Sequence, residues 1–196
     1  MSFGFNLVLV EEGHYATLYS FRKEGEDITE LEKFWEKDEV QRAPDHDNLK
    51  LRLYQDVLDR YNFEHSACFM GADRWFRQEG HPSDPENVNA EALCADIPAK
   101  DRKNLTKPYP RLRLYCFRMR KIMVAGNGGV KQDQRIQDDP ELEAAWDGVR
   151  YVMQRVHHRI ERTDDLDFKE ITYDDGYVED QFLFEGSHHF EAPDFP

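Results

Sequence analysis

The segment 111–131, reading RLRLYCFRMRKIMVAGNGGVK, sets two short apolar runs back to back and follows them with glycine. Leu112, Leu114, Cys116 and Phe117 are interspersed with Arg111, Arg113, Tyr115 and Arg118. A period of two turns apolar groups to one face of a sheet and polar groups to the other, so the pattern predicts a half-buried strand. Met119-Arg120 falls where a tight turn belongs, and 121–125 (KIMVA) supplies the second strand of an antiparallel pair. Gly126, Asn127, Gly128 and Gly129 tolerate positive φ, which predicts that this strand ends there in a reversal or a bulge.

The flanking sequence supplies the rest of an α+β fold. Residues 5–10 and 15–21 are rich in β-branched and aromatic side chains around Glu11-Glu12-Gly13-His14, the signature of a hairpin. Asp27-Ile28-Thr29-Glu30 has capping-box spacing and leads into a helix over about 28–40. After Ala43-Pro44-Asp45, an apolar stripe through Leu49, Leu53 and Val57 predicts a second helix over about 46–62. The two are expected to pack as a pair on one sheet face. Residues 66–77 and 92–97 read as short strands separated by a loop at 79–89, and 98–110 as a basic, proline-bounded connection. Asp139 as N-cap, Pro140 in the first turn, and Leu142, Trp146, Val149, Met153 and Val156 at helical spacing predict a helix over about 140–161. The expected fold is therefore α+β, with an antiparallel, twisted sheet, an N-terminal helical pair and this C-terminal helix.

Charge divides the chain. The total is −14, yet between residues 100 and 131 ten Lys or Arg stand against the single acid Asp101. From 161 to 196, twelve acids meet only Arg162 and Lys169, with one possible strand near 178–184. The expected organisation is a single domain over 1–160 and an acidic extension over 161–196, so that truncation after Ile160 leaves a folded domain. No apolar run approaches the roughly 20 residues of a membrane span. The first residues lack the basic start of a signal peptide, which predicts a cytoplasmic protein. Cys68, Cys94 and Cys116 have no paired spacing and read as buried thiols.

Candidate chemistry is concentrated in the cations. Arg111, Arg113, Arg118, Arg120, Lys121 and Lys131, with Tyr115 among them, suit contact with a phosphate backbone and stacking on a base. Arg74 and Arg77 around Trp75-Phe76 suit the same task. The competing structural reading is a solvated strand face paired with the chain's acids, and core aromatics beside solvated arginines. AGNGGVK lacks the spacing of a phosphate loop. His157-His158 and His188-His189 fall short of a metal-ligand set, and no cofactor motif is present. No residue is assigned as catalytic.

These residues also carry a family pattern. LRLYCFR, a turn, a hydrophobic strand, a glycine-rich strand end, Lys131 and then a helix resembles the C-terminal half of the RelE/HigB/ParE-like toxin superfamily. The N-terminal strand FNLVLV, the helical stretch and Arg74-Trp75-Phe76-Arg77 extend the resemblance over residues 3–156. It implies an mRNA endoribonuclease acting with the ribosome and controlled by an antitoxin protein, with Arg74, Arg77, Arg113, Arg118 and Lys131 on or around a concave sheet face. Such toxins are typically near half this length and basic, which is where this chain departs from the pattern. The alternative, from a different class, is a non-catalytic protein-interaction module of a bacterial or mobile-element system that keeps the fold.

Overall fold

The computed structural model describes residues 2–60, 76–77, 90–95, 112–119, 121–132, 136–162, 168–172, 178–182 and 188–192. The chain opens with β1 (Phe5–Glu12) and β2 (Thr17–Lys23), an antiparallel hairpin with a register shift between Leu9 and Glu11. Helices α1 (Glu30–Glu36), α2 (Asp38–Gln41) and α3 (His46–Leu51) follow, and α3 runs on as a π-helical segment, Arg52–Arg60. Then come β3 (Phe76–Arg77), β4 (Ala90–Leu93), β5 (Leu112–Met119), β6 (Ile122–Val130) and the long helix α4 (Pro140–Arg162). Near the C-terminus, β7 (Phe168–Thr172) and β8 (Val178–Phe182) form a separate two-stranded sheet, and β9 (His189–Phe190) closes the list of strands.

The α+β class is as expected, but the sheet is mixed. Its seven strands run in the order β3-β4-β5-β6-β2-β1-β9, and β2 lies parallel to β6 from Thr17↔Ile122 to Ser20↔Ala125. Parallel neighbours require a long crossover. Here the chain leaves β2 into the helices, adds β4 and β5, and only then returns with β6 beside β2. Local hairpin patterns carry no information about such a non-local pairing.

Helices cover the sheet on both faces. Leu31, Phe34, Val40, Leu49, Leu53 and Val57 pack with Leu112, Leu114, Cys116, Met123 and Ala125 on one side. Leu142, Trp146, Val149, Val152 and Val156 of α4 pack with Tyr115, Phe117, Ile122 and Val124 on the other. The central strand β5 is accordingly buried on both faces from Leu112 to Phe117, not half-buried. A strand covered on both faces loses the polar side that its arginines suggested.

Local signals set the helix ends. The capping box forms two residues later than its first acidic candidate: Thr29 Oγ1 accepts from Glu32 N (3.2 Å), while Glu32 Oε2 accepts from Thr29 N (2.6 Å). At α4, Asp139 Oδ1 accepts from Glu141 N and Leu142 N at 3.1 and 3.2 Å. The glycines of β6 do not end the strand. The positive-φ glycine among the described residues is Gly25, and β6 continues to Val130. Close packing is what demands glycine here: a Cβ on Gly126 would lie 2.4 Å from Val149 Cγ2, and one on Gly128 would lie 1.8 Å from the Arg113 carbonyl oxygen. The expected bulge does occur, since pairing shifts from Leu114↔Gly128 to Cys116↔Ala125 and leaves Gly126 and Asn127 opposite Tyr115.

Part of the 161–196 segment belongs to this core. Phe5↔Phe190 and Asn6↔His189 pair on the outer edge of β1, and Leu7 N donates to His188 O at 3.0 Å. Phe190 is 4% exposed and stacks on Phe5, with centroids 4.6 Å apart and 6° between the planes. Arg155 and Arg159 of α4 donate to the carbonyls of Glu191 and His189. The stretch 188–192 is thereby tied to both the sheet and the helix.

Candidate functional site

Beyond Ser20 and Ala125 the parallel pair ends, with β2 continuing beside β1 and β6 beside β5. The elements that follow these strands lie on opposite faces, α1 after β2 and α4 after β6. A crevice at the carboxyl ends of parallel strands whose following helices lie on opposite faces is where open α/β sheets place their ligands. Two adjoining clefts occupy this position, of about 470 Å³ and 230 Å³, and Lys37 and Glu141 line both.

The chemical centre of the crevice is Glu30, the first residue of α1, which is 4% exposed. Its Oε1 lies 2.8 Å from Lys33 Nζ and 3.3 Å from Lys23 Nζ, and its Oε2 accepts from Asn127 Nδ2 at 2.9 Å. Burial alone would raise the Glu30 pKa. The hydrogen bonds from Lys33 and Asn127, with the charges of Lys23 and Lys33, outweigh it and hold the carboxyl below its ordinary value. For Lys33, burial opposes the charge, but hydrogen bonds to Glu26 and Glu30 prevail and raise its pKa. The bulge in β6 presents Asn127 to this cluster, and its Oδ1 also accepts from Gly128 N at 2.8 Å. Lys37, at the end of α1, donates from Nζ to Gly128 O at 2.7 Å.

Of the residues singled out for RNA contact, Arg113, Tyr115, Arg118, Lys121 and Lys131 do not line this crevice. Arg113 and Arg118 are five positions apart, an odd spacing that turns them to opposite faces of β5. Arg113 is 5% exposed and donates to Leu112 O at 3.0 Å. Tyr115 is wholly buried, its ring 5.3 Å from Trp146 at 66°, so it offers no face to a base. Arg118 makes a two-pronged ion pair with Glu91 at 2.6 and 2.8 Å and lies 4.0 Å from the Phe76 ring centroid. Lys121, half-buried in the β5–β6 turn, gives its carbonyl to Thr17 N at 2.8 Å. Lys131 is half-buried just past β6. Arg74, Arg111 and Arg120 lie outside the described residues, and of Arg77 only its strand pairing with Ala92 is described.

The remaining expectations are placed as follows. Cys94 and Cys116 are buried thiols, burial pushing that of Cys116 far up, while Cys68 lies outside the described residues. His189 Nδ1 lies 3.1 Å from Asn6 Oδ1, and the His188 ring is 6.1 Å from that of Tyr19. Among the described residues no group of three His, Cys, Asp or Glu is arranged to hold a metal ion. Nor is any described helix long and apolar enough to cross a membrane.

Sequence reasoning missed the crevice because its parts are far apart in the chain. Lys23, Glu30, Lys37 and Asn127 come from β2, both ends of α1, and β6. The available signal was Asn127 among glycines, a polar side chain where the backbone packs too closely for larger neighbours. Compared with known proteins, the chain matches no family model, no curated protein and no solved structure.

Proposed function

We propose that this chain is a RelE/HigB-like toxin, a cytoplasmic, ribosome-associated mRNA endoribonuclease of a toxin–antitoxin system. The observation that carries this reading is the order of elements on which the resemblance rests: β5, a tight turn, β6 with its glycines, Lys131, then α4. In this reading Lys121 and Lys131 contribute positive charge toward RNA phosphates. The test is cleavage of a defined mRNA by the purified full-length protein in a reconstituted translation system, with cut sites mapped by primer extension. Cleavage reduced about tenfold or more in a Lys121→Ala, Lys131→Ala variant is the expected result, on the scale of removing groups that stabilise developing charge. Intact mRNA at saturating protein would refute the reading.

A second reading, a non-catalytic protein-interaction module on the same fold, is favoured by the engagement of the cations inside the fold. Arg118 is committed to Glu91 and Phe76, while Arg113 and Tyr115 are buried. A stable protein complex isolated with the full-length chain, together with no RNA cleavage and no salt-dependent RNA binding, would select this reading over the first.

A further inference from the structure

In β6, side chains meet both main-chain hydrogen-bonding groups of Gly128. Its N–H is bound by the Asn127 side chain and its C=O by Lys37 Nζ. Among the described residues no strand pairs with the β2 side of β6 beyond Ala125. Asn127 and Lys37 take up the Gly128 main chain just past the stretch, ending at Ala125, where β6 pairs with β2. By the period of two, Val130 presents its main chain to the same side as Gly128. The 470 Å³ cleft borders this edge and is lined by Lys37, Glu39, Gly128, Val130, Asp139 and Glu141, among others. Its volume falls within the range of a ligand site, roughly 300 to 1,000 Å³.

We propose that the β6 edge at Gly128–Val130 is a docking site for an extended, basic segment of a partner polypeptide, which adds to the sheet as a short strand. An N–H of the incoming segment replaces Lys37 on Gly128 O, and the Val130 main chain supplies the next bonds of the ladder. Main-chain pairing of this kind gives affinity, while alternate side chains give specificity. Specificity follows from charge. Glu39 and Glu141 are exposed at the cleft, and Asp139 adds a third carboxylate whose Oδ1 already caps α4. Among the described residues the one cation lining this cleft, Lys37, is already bound to Gly128 O, so these carboxylates favour lysine or arginine side chains over a polyanion. This inference does not depend on RNA cleavage. A peptide-binding edge is compatible with either proposed function.

The test uses the full-length protein and three capped pentapeptides: alternating valine and arginine, the same peptide with alternate amides N-methylated, and alternating valine and glutamate. Binding is read by amide hydrogen exchange and chemical shifts at Gly128 and Val130. The valine–arginine peptide should slow exchange of the Val130 amide. N-methylation should weaken binding about tenfold or more, since it removes two or more main-chain hydrogen bonds. The valine–glutamate peptide should bind correspondingly weakly. The double variant Glu39→Gln, Glu141→Gln should melt like the parent, because both side chains are exposed, yet bind the valine–arginine peptide several-fold more weakly. Unchanged Val130 exchange at saturating peptide, or equal binding of the N-methylated peptide, would overturn strand addition. Unchanged binding by the double variant, or protection of the same amides by an RNA oligonucleotide, would overturn the assignment of a basic polypeptide as occupant.

Discussion

Replacing Phe190 with alanine tests whether the C-terminal stretch is structural. The ring is 4% exposed, stacked on Phe5 at 4.6 Å, and the guanidinium carbon of Arg159 lies 4.9 Å from its centroid. Phe→Ala in a packed core costs about 3 to 5 kcal/mol. β9 is only two residues long and can detach from β1 without disturbing the other strands. The loss is therefore capped by the docking free energy of the segment, which places the expected value near the low end, about 3 kcal/mol. In urea, with a slope of about 1 to 3 kcal/mol/M, this is a fall of roughly 1 to 3 M in the unfolding midpoint. Removing residues 188–196 should cost at least as much, because the strand pairs and the bonds from Arg155 and Arg159 go with the ring. A Phe5→Ala, Phe190→Ala cycle should show coupling of about 0.5 to 1.5 kcal/mol from the stacked pair. A cost below about 1 kcal/mol for both Phe190→Ala and the truncation would refute the reasoning and make the tail an appendage after all.

Three further substitutions probe the sheet and the crevice. Trp146→Ala should cost about 3 to 5 kcal/mol by thermal or urea unfolding, because the 5%-exposed ring packs edge-on against Tyr115. Gly128→Ala should destabilise by about 3 kcal/mol or more, since its Cβ would overlap the Arg113 carbonyl, and backbone must move to admit it; near-parental stability would mean that β5 and β6 are less closely apposed. Glu30→Ala should cost about 1 to 3 kcal/mol at neutral pH, because Asn127 loses its acceptor and Lys33 one of its two carboxylates, keeping Glu26. The Glu30 pKa is depressed in the folded state, so its contribution is present above the unfolded carboxyl's ordinary value of 4.5 and is lost as pH falls below it through the folded value. Unfolding free energies measured from pH 6 down to 2 should fall less steeply in Glu30→Gln than in the parent, and identical slopes would show that Glu30 does not carry this linkage.

What could be read from the sequence was local. The N-terminal hairpin, the two strands around Arg120, and the helix behind Asp139-Pro140 each carry their own periodicity and boundary signals, and each is present. The errors arise where a neighbour far away in sequence decides the outcome. Whether β5 has one buried face or two depends on helices that begin 80 residues before it and some 20 residues after it. The period of two was visible, but grouping Arg118 with Arg113 ignored the parity of their spacing. In the sequence the glycines of β6 suggest backbone freedom, yet Gly126 and Gly128 are held by the close approach of Val149 and Arg113. Residue type is the same in both explanations, and only the tertiary contact separates them. The parallel pairing of β2 with β6, which creates the crevice, has no sequence signal at all within either strand.

The charge pattern shows the same dependence on distant partners. Ten cations between residues 100 and 131 suggest a basic surface when the chain is laid out in one dimension. For the four of these cations that are described, folding brings Glu91 from β4 against Arg118, turns Arg113 inward, and leaves Lys121 and Lys131 half-buried. On the opposite side of the ledger, Glu30 from α1 draws Lys23 and Lys33 into one cluster, and Asp56 lies 3.4 Å from both Arg52 and Arg60. Exposed pairs contribute little, about 0 to 1 kcal/mol, whereas a carboxylate only 5 or 13% exposed is costly to leave without its cation. Glu30 and Glu91 fall in the second class. Both carboxylates therefore serve the fold first. A partner polyanion competing for Arg118 would have to displace a two-pronged carboxylate from a partly buried site, whereas the β6 edge asks an incoming strand to displace only one ammonium group from one carbonyl. Of these two places the β6 edge presents the lower barrier, which is the physical ground for proposing a polypeptide there rather than a polyanion at Arg118.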